Sequence, residues 1–215
     1  MTISTDPTIL LVGATGPTGR EVLSLATASG RRLRALARNP AALGGIGRDH
    51  EIVRGDVLDP SSLTGALTGI DVVVCVLGTP LTRKPVTLLS RGTANLLAAM
   101  AVTGTPRIVC VTGMGAGDSR GHGGFLYDRI ILPFLLGSIY ADKDRQEALL
   151  RAVDVDWTIV RPAYLTDGPA TGRFRELTGL TGARMTRISR KDVAAFLLGE
   201  AIEPRFRRRT VNLSD

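Results

Sequence analysis

The run Thr8-Ile9-Leu10-Leu11-Val12-Gly13-Ala14-Thr15-Gly16-Pro17-Thr18-Gly19 decides how this chain folds. Its opening, Thr8 to Val12, is a short continuous apolar stretch, the pattern of a parallel strand covered on both faces. Pro17 suits the first turn of a following helix, which the spacing extends to about Ser29, with Gly30 as a left-handed stop. Between strand and helix stands a G-x-x-G-x-x-G turn. Glycine at its start permits unusual backbone angles, the second removes a Cβ from the path of a ligand, and Gly19 lets the helix approach the strand. Free N–H groups at such a helix start suit a diphosphate.

Outward from that turn, strands and helices alternate. Strands are predicted over Arg32 to Ala37, Glu51 to Arg54, Asp71 to Leu77, Arg107 to Val111 and Trp157 to Arg161, the last stopped by Pro162. Helices are predicted over Val86 to Val102 and Asp142 to Ala152. Near the C-terminus come a strand at Met185 to Ile188, a helix from Arg190 to Glu200 capped by Ser189, and a strand at Thr210 to Leu213. Alternation of this kind implies right-handed crossovers and an α/β fold: a single Rossmann-type, doubly wound parallel sheet with helices on both faces, spanning residues 1–215. Two glycine-rich stretches, Gly113 to Gly124 and Gly168 to Gly182, are expected to be mobile loops.

The end of the second strand, Leu36-Ala37-Arg38-Asn39-Pro40, lacks the carboxylate that would accept from a ribose 2′-hydroxyl. Arg38 stands where a 2′-phosphate would be, and guanidinium pairs with phosphate and stacks on adenine. The expected cofactor is therefore NADP(H) in preference to NAD(H).

Composition narrows the rest. With 44% hydrophobic and 22% charged residues, the 215-residue chain has the balance of one globular domain. Its longest apolar candidate for a membrane span, Phe125 to Tyr140, is interrupted by Asp128, Arg129 and Pro133, and Met1 to Pro7 has neither a basic start nor an apolar core; a cytoplasmic protein without membrane contact is expected. Cys75 and Cys110 lie in strand-like Val/Ile runs and read as buried free thiols, while His50 and His122 have no metal-ligand spacing. The net charge of +7 concentrates at Arg205-Phe206-Arg207-Arg208-Arg209, which reads as a solvated basic edge, since no nucleic-acid recognition signature accompanies it.

With these residues in hand, the chain resembles the atypical short-chain dehydrogenases/reductases that carry an NAD(P)H-binding domain, the group including NmrA-like proteins and biliverdin-IXβ/flavin reductases. The resemblance runs over nearly the whole chain. It rests on Gly13 to Gly19, Arg38-Asn39-Pro40, Gly55-Asp56-Val57-Leu58-Asp59, Arg91 to Leu97, and Asp156 to Pro162. By position it implies that Gly13, Thr15, Gly16, Pro17, Thr18 and Gly19 form the phosphate turn and that Asp56 and Val57 contact adenine. Leu77, Gly78 and Thr79 would line ribose and diphosphate, with Pro162 and Ala163 beside the nicotinamide. It also implies a monomer or homodimer.

Typical members of the superfamily use a Tyr-x-x-x-Lys pair and a serine after the fifth strand. Lys143 occupies the lysine position as expected ribose anchor, but Ile139 stands four residues before it. Tyr140 is one place nearer, turned by about 100° on a regular helix, and is expected to face away from the usual donor position. Thr112 is the one hydroxyl near the missing serine. Lys143, Tyr140 and Thr112 are the candidate catalytic residues, with the substrate region formed by loops around 113–140 and 163–184. Two readings follow: a reductase passing hydride to a conjugated or carbonyl acceptor of flavin or quinone type, or a non-catalytic NADP(H)-responsive sensor of NmrA-like kind. A nucleotide-sugar epimerase or dehydratase ranks third, because the usual acid/base pair and a larger C-terminal domain are missing. In the segment 113–124, Asp118, Ser119, Arg120 and His122 either read an anionic substrate from a lid or belong to a surface loop. Phe125, Tyr127, Phe134 and Tyr164 either wall an aromatic pocket or pack in the core.

Overall fold

The computed structural model describes residues 6–122, 124–125 and 127–215. The stretch at residues 1–5 and Gly123 of the glycine-rich loop lie outside them, as does the Tyr127 side chain. β1 (Ile9–Val12) leads through the glycine turn into α1 (Pro17–Ala28), and β2 (Arg34–Ala37) and β3 (Glu51–Arg54) follow. Next come α2 (Leu63–Leu67), β4 (Val72–Cys75), α3 (Leu88–Thr103) and β5 (Arg107–Val111). A π-helix, Tyr127–Leu136, runs directly into α4 (Gly137–Arg151). The C-terminal third holds β6 (Asp156–Pro162), β7 (Tyr164–Thr166), β8 (Arg175–Leu177), β9 (Arg187–Ser189), α5 (Arg190–Ile202) and β10 (Arg209–Ser214).

The main sheet runs β3-β2-β1-β4-β5-β6-β10-β8, and every neighbouring pair is parallel except β10 with β8. The expected fully parallel sheet therefore acquires an antiparallel edge. The edge strand β8 lies in the stretch read as a glycine-rich loop; in the small parallel β7–β9 pair, β9 is the strand expected at Met185 to Ile188, shifted to Arg187–Ser189, and β7 falls where no strand was expected. β7 and β8 are each three residues long, too short for a period-2 signal.

The apolar strands are buried on both faces. Ile9, Leu11, Val72, Val74 and Val109 pack toward Val22 and Leu23 of α1 and Val193 and Leu197 of α5. Leu10, Val12, Val73, Cys75, Ile108 and Cys110 pack toward Leu63, Leu96, Met100 and Leu150 of α2, α3 and α4. Alternate side chains thus feed two cores, which is why the strands read as continuous rather than alternating hydrophobics. Cys75 and Cys110 are both buried and free.

Helix α4 begins at Gly137, five residues before the expected start at Asp142. Asp142 does not open its own helix. Its buried carboxylate accepts from the backbone N–H of Leu89 (2.8 Å) and Ser90 (3.3 Å), capping α3 across the helix pair. Among the described residues no helix is long and apolar enough to cross a membrane.

Candidate active site

The strand order reverses between β1 and β4, which places a crevice at the carboxyl ends of those two strands. A cavity of about 590 Å³ occupies it. Its floor is the glycine turn. Gly13 has φ +88°, and a Cβ there would stand 2.6 Å from the Val76 carbonyl oxygen, so the first and fourth strands meet only because the side chain is absent. Gly19 is buried behind the turn, where a Cβ would stand 2.8 Å from Ala14 Cα; it serves helix packing and does not border the cavity. Gly16 is the N-cap of α1 and no side chain caps the first turn, leaving its N–H groups to a ligand.

Thr15, Gly16, Pro17, Thr18, Arg38, Val57, Leu77, Gly78 and Thr79 border this cavity with Gly13 and Lys143, bringing the turn, the adenosine end and the ribose candidates into one crevice. The lining carries three cations, Arg38, Lys143 and Arg190, and no carboxylate, so its field favours an anion. Asp56 departs from expectation. Its carboxylate accepts from the Leu58 N–H at 2.9 Å, capping its own turn, and the residue does not border the cavity.

A second cavity, about 470 Å³, adjoins the first and shares Thr112, Lys143, Leu165 and Arg190 with it. Pro162 and Ala163 border this second chamber rather than the first. Ile131, Leu135 and Leu136 of the π-helix, with Met114 and Met185, make most of it apolar. Of the four aromatic candidates, Tyr164 borders it, whereas Phe125 and Phe134 are exposed and stand outside.

Tyr140 shows the rotation expected of it. The roughly 100° step between neighbouring helix positions sends Ile139 to the first cavity and Tyr140 to the second. The phenol therefore stays in the site. The Lys143 Nζ lies 4.5 Å from its ring centroid, and a Cβ on Gly113 would meet Nζ at 2.7 Å and the Tyr140 hydroxyl at 3.2 Å. Three-residue spacing keeps both side chains on one helix face, at the carboxyl end of β5.

Thr112 is differently placed. Its hydroxyl donates to Glu147 Oε1 at 2.7 Å, which leaves no proton for a substrate. Glu147 is gripped by Arg161 through Nε (2.8 Å) and Nη2 (2.6 Å) and by Arg151 (2.9 Å). Arg161 in turn holds Asp118 at 2.5 Å. Burial alone would raise the Glu147 carboxyl, but the Arg161 hydrogen bonds and charge, with Thr112 and Arg151, pull it below its ordinary value.

This network, and an Arg120–Asp144 ion pair, pin the segment expected to be either a lid or a surface loop. Ser119 is buried, with its hydroxyl donating to the Ala116 carbonyl at 2.6 Å, and His122 lies against the Ala183 carbonyl. None of Asp118, Ser119, Arg120 or His122 borders either cavity, because all four are engaged within the fold. The C-terminal basic run is likewise paired: Arg205 with Glu176, Arg207 with Asp156, Arg208 with Asp154. Sequence reasoning missed Arg190 as a wall residue, and the Glu147–Arg161 pair that holds the Thr112 hydroxyl. Glu147 was visible only as part of a helical pattern.

Burial lowers the Lys143 ammonium to about 8, partly opposed by the Glu147 charge. An unfolded lysine titrates near 10.4, so between about 8 and that value the unfolded chain binds the extra proton and stability rises with pH. Lys143→Met should therefore be more stable than wild type at pH 7, with the difference in thermal midpoint shrinking toward pH 10. A difference independent of pH over that range would contradict the assignment.

The NAD(P)H-binding family matches residues 13–204 of the chain. An uncharacterized sugar epimerase of Bacillus subtilis (strain 168) is 26% identical over 96% of this chain and 94% of its own length. The NAD(P)H azoreductase of Xenophilus azovorans is 29% identical over 73% of this chain, which spans about half (48%) of that protein. Among solved structures, ChuY, an anaerobilin reductase from Escherichia coli O157:H7, superposes with a TM-score of 0.81 at 24% identity over 96% of both chains, a likeness that establishes the fold. A glycine turn on an uncapped helix at the sheet's switch point, in a chain matched from its first turn glycine to the end of α5, places this protein in the NAD(P)H-binding family of atypical short-chain dehydrogenases/reductases.

Proposed function

We propose that this protein is an NADPH-dependent reductase that delivers hydride to a flat, conjugated acceptor of flavin or quinone type. The observation that carries the reading is the junction of two cavities: an anion-favouring crevice opens at Lys143 and Thr112 onto an apolar chamber free of carboxylates. Dinucleotide held along the turn supplies the hydride. Lys143 is placed to hold the ribose, and the walls of the second chamber align the acceptor and exclude water. An acceptor of this kind leaves as a stabilised anion and takes its proton from solvent on release, which suits a site whose Thr112 hydroxyl is already donated. Tyr140 remains an auxiliary donor. That an azoreductase is among the relatives supports an acceptor with a conjugated system.

Steady-state loss of NADPH absorbance with a panel of flavins, quinones and azo dyes tests the proposal; rates no higher than the protein-free blank would sink it. The engaged Thr112 and the isoleucine at position 139 favour one alternative, a sensor that binds NADP(H) without turnover. In that case NADPH binds and is never consumed.

The preference for NADPH rests on Arg38, exposed at the end of β2 on the cavity wall and free of ion pairs among the described residues. A charge-assisted contact with a 2′-phosphate contributes about 1.5–3 kcal/mol, so Arg38→Asp should weaken NADPH binding by roughly 10- to 100-fold. NADH affinity should change by less than about three-fold, since it lacks the phosphate. Equal losses for the two nucleotides would show the arginine to be incidental.

A further inference from the structure

Arg190 opens α5 and stands on the wall between the two cavities. Its side chain is 21% exposed, and Nη1 donates to Asp167 Oδ1 at 2.5 Å. Asp167 is 85% exposed and borders neither cavity, so it holds the guanidinium from the solvent side. The other edge, Nε with Nη2, makes no hydrogen bond among the described residues. That edge has the two parallel donors that match the two oxygens of a carboxylate. The chamber it borders is lined mostly by aliphatic, methionine and aromatic side chains, with the hydroxyls of Thr112 and Thr186, Lys143 as its second cation and no acidic residue. A carboxylate brought into such a place gains from both cations, whereas an acceptor bearing a cation would be repelled.

We propose that Arg190 forms a carboxylate subsite in the second cavity, so that the acceptor of this protein is a flat apolar molecule carrying a carboxylate that the Nε–Nη2 edge grips while Asp167 fixes the fork. The proposal rests on the reading of that cavity as the acceptor chamber, and it adds what the acceptor must carry. Asp167 acts through Arg190 and is a positioning residue.

The test uses a matched pair of probes, an azobenzene carboxylate and its methyl ester, titrated into full-length protein saturated with NADP⁺. Wild type should bind the acid roughly 10- to 100-fold more tightly than the ester, the range of a charge-assisted bidentate contact. Arg190→Gln should bring the ratio to within about three-fold of unity, and Arg190→Lys, which keeps the charge and loses the fork, should restore part of it. Asp167→Asn should lower the ratio by a smaller factor while leaving the ester's affinity in place. Thermal midpoints confirm that each variant is folded. A ratio that survives Arg190→Gln, or a variant that loses NADP⁺ affinity as strongly as acid affinity, would overturn the proposal, as would failure of both probes to bind. NADPH turnover with the same pair separates this from the reductase reading. Tight, Arg190-dependent binding without turnover leaves the subsite and removes the reductase; equal turnover of both probes does the reverse.

Discussion

Replacing Thr15 with aspartate should raise the NADPH dissociation constant by about 100-fold and leave the fold intact. Thr15 is exposed at the middle of the glycine turn and borders the dinucleotide cavity. Its neighbour Arg20 bonds the Thr15 carbonyl and not the side chain, so the substitution removes no packing. A carboxylate at about 5 Å from a diphosphate charge, in surroundings with an effective dielectric near 20, opposes binding by about 3 kcal/mol. The same carboxylate beside the first turn of α1 is favourable to the helix dipole by about 0.3–1 kcal/mol, so the thermal midpoint should hold or rise slightly. Lost affinity with retained stability is the signature of an anion site. Unchanged affinity, measured by titration of NADPH fluorescence, would mean that the diphosphate lies elsewhere.

Glu147→Ala should have the largest effect on stability, a loss of about 3–5 kcal/mol. Arg161 and Glu147 are each only 1% exposed, and removing the carboxylate leaves a buried guanidinium whose remaining anionic partner is the exposed Asp118. It also releases the Thr112 hydroxyl at the junction of the two cavities. Because the Glu147 carboxyl sits below its ordinary value, its contribution is complete above about pH 4.3, where an unfolded glutamate is ionised, and is lost as pH falls through the lowered folded value. Wild type should therefore lose stability on acidification through that range, and Glu147→Gln should show a shallower loss. Chemical denaturation at several pH values reads both. Parallel curves for the two proteins would show that the network does not depend on the charge.

The parts of this molecule legible in its sequence are those governed by local pattern. The β1–turn–α1 unit, the strands β2 to β6 and the Ser189 cap of α5 all follow from apolar runs and residues with one strong backbone preference. The Ser189 hydroxyl does accept from the Asp192 N–H at 3.0 Å. Arg38 was legible for the same reason, standing at a fixed offset from the end of a strand.

What escaped notice depends on partners distant in sequence. Asp142 looks like a helix start and instead caps a helix beginning 54 residues earlier, at Leu88. Asp118 and Arg120 look like ligands for a substrate, yet Arg161 and Asp144 lie across the fold to pair with them. No spacing rule foretells such pairings. Tyr140 shows a different shortfall. The helical rotation was anticipated, but judging its consequence required knowing that a second chamber, walled by the π-helix, receives the rotated side chain. Arg190 read only as the first residue of a helix, because nothing in its local pattern marks the wall between two cavities on which it stands.

Calorimetric titration of NADPH into the wild-type protein tests most directly whether the turn at Gly13–Gly19 holds a dinucleotide. The account predicts saturable binding of one NADPH per chain, lost on Thr15→Asp. A flat trace at millimolar nucleotide, or a heat that Thr15→Asp leaves unaltered, would contradict it.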